Sequence, residues 1–213
     1  HPDNQRFLED VQTWLGIKIE YAINPKYPSC SARDVWEKRK YMSGIYGAPC
    51  TGELKIKARQ IWESENKCDF IVMGYTVEEK DRHDNFILEQ RDNLLPVLIE
   101  AAFTKQDCYD FLKHAGVQPP AIYDLGFPNA NCIGCVKATN PTYWNLVREK
   151  FPSVFADRAE QSRRIGSKLA EVKKERVYLD ELDPNARGRD LKSMDFECGL
   201  FCPSELLKGK NND

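Results

Sequence analysis

Phe7, Leu8, Val11, Trp14 and Leu15 recur at the spacing of one helix face, and Gly16 stops that helix before Ile17-Lys18-Ile19-Glu20-Tyr21, whose alternation predicts a strand. Further helices are predicted over Arg33 to Met42 and Glu53 to Glu63. The run Phe70-Ile71-Val72-Met73 lacks any polar alternation, the pattern of a strand buried on both faces. Helices alternating with short buried strands predict an α/β fold with three layers, α/β/α. Its mainly parallel sheet would contain Ile17 to Tyr21 and Phe70 to Tyr75, joined by right-handed crossovers.

Thr104-Lys105-Gln106-Asp107 has the form of a capping box with Asp in place of Glu, and it opens a helix that carries Tyr109, Phe111 and Leu112 and stops at Gly116. Pro119, Pro120, Gly126 and Pro128 then break regular structure, so Cys132-Ile133-Gly134-Cys135 is expected on a loop after the sheet. Tyr143 to Phe151 and Phe155 to about Lys174 read as two helices, the second strongly charged, and the chain from Asp180 onward reads as mostly irregular. The expected division is an α/β domain over 1–136 and a helical region over 137–213 that ends in a cysteine-bearing tail.

Composition narrows this picture. A chain of 213 residues suits one core domain with an appendage, and no apolar run reaches the roughly 18 residues of a membrane helix, so a soluble protein with no membrane partner is expected. A net charge of −2 supplies no global attraction to nucleic acid or anionic lipid. The basic stretch with Arg163, Arg164, Lys168, Lys173, Lys174 and Arg176 is interleaved with Glu160, Glu171 and Glu175, as on a solvated helix. Eight cysteines in two close pairs and four scattered positions suit a reducing compartment, here the cytoplasm, better than a disulfide scaffold. The opening His1-Pro2-Asp3-Asn4 is polar and does not start with Met, and the expectation is that the chain begins in mid-fold.

Cys132-x-x-Cys135 has the spacing by which one loop presents two thiolates to a single metal, with Gly134 permitting unusual dihedrals. Cys198-x-x-x-Cys202 is a second close pair, so four thiolates could enclose tetrahedral Zn²⁺ or a cubane cluster if the tail folds back. The alternatives are ordinary buried thiols, or a redox dithiol, which the proline-rich approach disfavours because such motifs open a helix directly after a strand.

These residues carry a resemblance to the phosphoadenosine phosphosulfate (PAPS) reductase family of adenine-nucleotide α-hydrolases over most of the chain. Pro49-Cys50-Thr51-Gly52-Glu53-Leu54-Lys55 resembles its Cys-x-x-x-x-Lys block, and Gly74-Tyr75-Thr76-Val77-Glu78-Glu79 resembles its Gly-x-Arg-x-x-Glu strand end. Tyr123-Asp124-Leu125-Gly126-Phe127, leading into Cys132-Ile133-Gly134-Cys135, is the longest match, and Glu197-Cys198-Gly199-Leu200 is similar to the family's nucleophile motif. The sequence departs from the family at Pro49, Thr76 and Phe201, where Cys, Arg and His are usual, and its Ser-Gly-Gly phosphate loop is absent from these 213 residues.

The resemblance implies a sulfur-handling enzyme that reduces PAPS or adenylyl sulfate, or that activates tRNA or DNA with ATP and thiolates it. It implies a [4Fe–4S] cluster on Cys50, Cys132 and Cys135, with Cys202 as fourth ligand and Cys198 as the catalytic nucleophile. Thr51, Lys55, Gly74, Glu79 and Arg82 would contact the adenine nucleotide, although a solvated charged face accounts equally well for any single one of the cations. A different class of function stays open, a non-enzymatic accessory protein in which a four-cysteine zinc site pins the tail to a degenerate nucleotide-binding fold.

Overall fold

The computed structural model describes residues 1–44, 47–89 and 92–191. In chain order the helices are α1 (Asp3–Leu15), α2 (Ala32–Arg39), α3 (Pro49–Thr51), α4 (Lys57–Glu65), α5 (Lys80–Glu89), α6 (Val97–Glu100), α7 (Lys105–His114), α8 (Pro141–Lys150) and α9 (Pro152–Ile165). The strands are β1 (Ile71–Val72), β2 (Leu94–Leu95), β3 (Ala170–Val172) and β4 (Glu175–Val177). A mixed helix-and-sheet protein results. None of the described helices is long and apolar enough to cross a membrane.

The chain divides into two compact units. Among the described residues, the first holds His1, 21–62 and 121–191; the second holds 2–20 and 63–120. In the first unit, Trp36 of α2, Tyr143, Trp144 and Val147 of α8 and Phe155 of α9 close over Phe127, Val136, Leu169 and Leu179 in one apolar core. Gln161 and Arg164 help to bind α9 to α2. Gln161 Nε2 donates to Glu37 Oε1 at 2.8 Å and to the Arg33 carbonyl at 3.2 Å, and Arg164 pairs with Glu37 at 2.7 Å. Pro49 sits at the start of α3, where its missing N–H costs nothing, and a π-helical turn, Gly52–Ile56, carries α3 into α4. That turn directs Glu53 inward, between Arg39 Nη2 at 3.1 Å and Lys57 Nζ at 3.2 Å, so the buried carboxylate is paired. Asn24 Nδ2 donates to the Glu53 carbonyl at 2.9 Å and fixes the segment that begins with Cys50.

In the second unit β1 and β2 pair in parallel, Ile71 opposite Leu94 and Val72 opposite Leu95, with α5 in the connection between them. The capping box read at Thr104 is present: Thr104 N–H and Oγ1–H both donate to Asp107 Oδ2, at 2.8 and 2.6 Å, and the Asp107 N–H donates back to Thr104 Oγ1 at 3.1 Å.

Three expectations are corrected. Ile17 to Tyr21 forms no strand; its alternation meets no neighbouring strand, and the Ile19 N–H is taken by the Gln12 side chain at 2.7 Å. The strand at Ile71–Val72 is not buried on both faces, since Phe70 is 62% and Val72 56% exposed. The helix expected to run to Lys174 stops at Gly166, whose φ of 81° ends it, and a β3–β4 hairpin follows.

Candidate functional site

The cysteine loop is held from its outer side by α8. Asn140 caps that helix by accepting from the Thr142 N–H at 2.8 Å, and the Trp144 indole N–H donates to the Ala138 carbonyl at 2.8 Å. One turn into α8, the Tyr143 hydroxyl reaches back across the motif. It accepts from the Cys135 N–H at 2.9 Å and lies 3.4 Å from the Cys132 carbonyl, to which it donates. Both ends of the Cys132–Cys135 turn are thus fastened to one phenol, which stands edge-on to Phe127 and Trp144. A second hydrogen bond, Ala138 N–H to the Cys135 carbonyl at 3.0 Å, closes the turn behind the motif.

Gly134 occupies the position at which this turn needs the left-handed region, with φ of 67°. It also admits close packing. A Cβ there would lie 3.1 Å from Val154 Cγ1 and 3.2 Å from Arg158 Cγ, so the loop rests directly on α9.

Arg158 faces the loop from α9. Burial pushes its guanidinium below the ordinary arginine range and nearby Arg33 adds to the fall, while Cys132, Tyr143 and Cys50 oppose it. Tyr143 is shifted upward, first by burial and then by Cys135, with a smaller push from Cys132. Cys132 and Cys50 therefore bear on Arg158, and Cys135 and Cys132 on Tyr143. Cys50 of α3 and Cys135 of the loop before α8 both pack against the apolar core of the first unit. Cys132 is exposed, while Cys50 and Cys135 are half-buried against the apolar core. Among the described residues all six cysteines are thiols, and no three His, Cys, Asp or Glu side chains already stand in a metal-ligating arrangement. Cys198 and Cys202 lie outside the described residues.

The residues expected at the nucleotide divide between the units. In the first, Thr51 is buried on α3 and Lys55 is exposed on the π-helical turn. In the second, Gly74 is exposed just beyond β1, followed by Thr76, which caps a 3-10 turn, Val77–Glu79, together with Glu79. Arg82 Nη1 pairs with Glu79 Oε1 at 2.8 Å, and its guanidinium lies 5.2 Å from the Tyr75 ring centroid. Gly74, Glu79 and Arg82 thus stand together at the carboxyl end of β1, with Glu79 already engaged as a cap and an ion-pair partner.

Sequence reading missed Arg158 and Tyr143. Neither has a spacing that ties it to the Cys132–Cys135 motif; an aromatic one turn into the following helix is ordinarily core, and Tyr143 is core as well. Comparison of the chain with family models, with curated protein sequences and with solved structures finds no match.

Proposed function

We propose that the chain is a PAPS reductase-like sulfur-transfer enzyme acting at an adenylylated centre, with Cys50, Cys132 and Cys135 as ligands of an iron–sulfur cluster. The observation that carries this reading is that Cys132 and Cys50, far apart in sequence, both bear on one buried cation, Arg158, whose Nε–H has no partner among the described residues. Soft thiolates suit iron–sulfur centres, and a buried unsatisfied donor beside them suits sulfur acceptors. Cys202 is the proposed fourth ligand of a [4Fe–4S] cluster. When bound, such a cluster supplies electron chemistry or a polarised sulfide.

The chain's own residues then divide the work. Gly74, Glu79 and Arg82 lie where open α/β sheets take ligands, at the carboxyl end of a parallel strand, and would hold the phosphate or sulfate of the nucleotide, PAPS or ATP. In reduction, the Cys198 thiolate attacks the sulfonate sulfur of PAPS or adenylyl sulfate. A sulfur–sulfur bond forms as the sulfur–oxygen bond breaks, the electron pair leaves on the nucleotide phosphate, and a thiol reductant releases sulfite. In thiolation, ATP would adenylylate tRNA or DNA with release of pyrophosphate, and sulfide would displace the adenylyl group, which leaves as AMP. The reading carries with it the fuller architecture, a three-layer α/β/α domain in which β1 and β2 belong to a wider parallel sheet, and a cytoplasmic location.

The test is the colour of anaerobically purified protein. A brown preparation is expected, bleached by Cys50→Ala, whereas Cys68→Ala and Cys108→Ala, in the other unit, leave it unchanged. A colourless protein with one zinc would move the assignment to the structural four-cysteine site.

A further inference from the structure

Arg158 is built into the cysteine loop more tightly than a surface arginine. Its side chain is 14% exposed, and the guanidinium lies 4.7 Å from the centroid of Trp36. The stem packs on Gly134, where any Cβ would crowd Arg158 Cγ. Among the described residues one carboxylate serves it: Nη1 donates to Asp157 Oδ2 at 2.7 Å, and the other oxygen of Asp157 pairs with Arg33. Two guanidinium groups thus share the Asp157 carboxylate, and Cys132 and Cys50 both bear on the Arg158 charge. The Nε–H is buried and makes no hydrogen bond among the described residues. A buried donor without an acceptor is disfavoured unless a bound state supplies one.

We propose that Arg158 is the positioning cation of the sulfur centre, its buried Nε–H reserved for a sulfur atom of the bound cluster and its charge offsetting the negative charge of the thiolates. This inference rests on the reading of Cys50, Cys132 and Cys135 as ligands. It assigns to α9 a part in setting the properties of a centre whose ligands all lie elsewhere in the chain. Hydrogen bonds to cluster sulfurs and a nearby positive charge stabilise the reduced, more negative state, so both raise the reduction potential.

The full chain is compared with Arg158→Met and Arg158→Lys, each reconstituted anaerobically, for iron per chain, midpoint potential and rate of metal loss to a chelator. Arg158→Met is expected to hold the cluster at a more negative potential and to lose metal about 10-fold to 100-fold faster. Arg158→Lys, which keeps the charge and much of the stem but lacks the Nε–H, should fall between the two and remains informative if the Met variant misfolds. Equal potentials and equal release rates in wild type and Arg158→Lys, with full iron in both, overturn the inference and leave the cluster standing. Wild-type protein that takes up neither iron nor zinc overturns the reading of the centre and the inference with it. Zinc in place of iron overturns the iron–sulfur reading alone, and the release rates then decide the role of Arg158.

Discussion

The two units hold themselves together in different ways. In the first, Trp36, Met42, Ala48, Trp144 and Val147 are all but fully buried, drawn from segments far apart in sequence. In the second, Phe86, Leu94 and Val117 are buried, but Phe70, Val72 and Leu88 are 62%, 56% and 83% exposed. Its order leans on local devices: the capping boxes at Thr76 and Thr104, and Arg6 of α1, which bonds Asp3 at 2.8 Å and the carbonyls of Gln118 and Pro119 at 3.0 Å. Parallel strands ordinarily lie under helices on both faces. The unit that carries the cysteine loop is therefore the more fully packed one, and the unit with the β1 end leaves more of its large apolar side chains in solvent.

The largest expected effect breaks the first unit. Trp144→Ala removes a fully buried indole and the hydrogen bond to Ala138 behind the cysteine motif, and it should cost about 3–5 kcal/mol in urea unfolding. Any metal bound at Cys132 and Cys135 should be lost along with it. A smaller effect belongs to the second unit: Thr104→Ala deletes the α7 cap at about 1 kcal/mol. It should speed amide exchange at Asp107 and Cys108 while amides of α8 keep their protection. The smallest effect is that of Phe70→Ser, within about 0.5 kcal/mol, because the side chain is already in solvent. A loss several times larger would mean that this apolar face is covered in solution.

Legibility in the sequence follows the same division. The α7 cap was readable because its donors and acceptors lie within four residues, and the loop around Cys132 because prolines and glycines announce it. Ile17 to Tyr21 misled because alternation describes a strand's faces and not its partner, and a strand exists only when another chain segment pairs with it. The β3–β4 hairpin was hidden because its turn places Lys173 and Lys174 at φ of 51° and 70°, where sequence rules look for Asn-Gly, and the charged pattern around them suits a helix equally. Gly166 was the overlooked stop signal. In the site, Cys50, Cys132 and Cys135 were named from their pattern and family likeness. Arg158 and Tyr143 were not, since their role arises from long-range packing of α8 and α9 on the loop.

Iron, acid-labile sulfide and zinc content per chain, measured on anaerobically purified full-length protein, bears most directly on whether Cys50, Cys132 and Cys135 form one sulfur centre. About four iron and four sulfide per chain, falling to near zero in Cys50→Ala, is the predicted result for a [4Fe–4S] centre. Protein that is fully folded yet carries no iron, or whose iron is unaffected by Cys50→Ala, would contradict it.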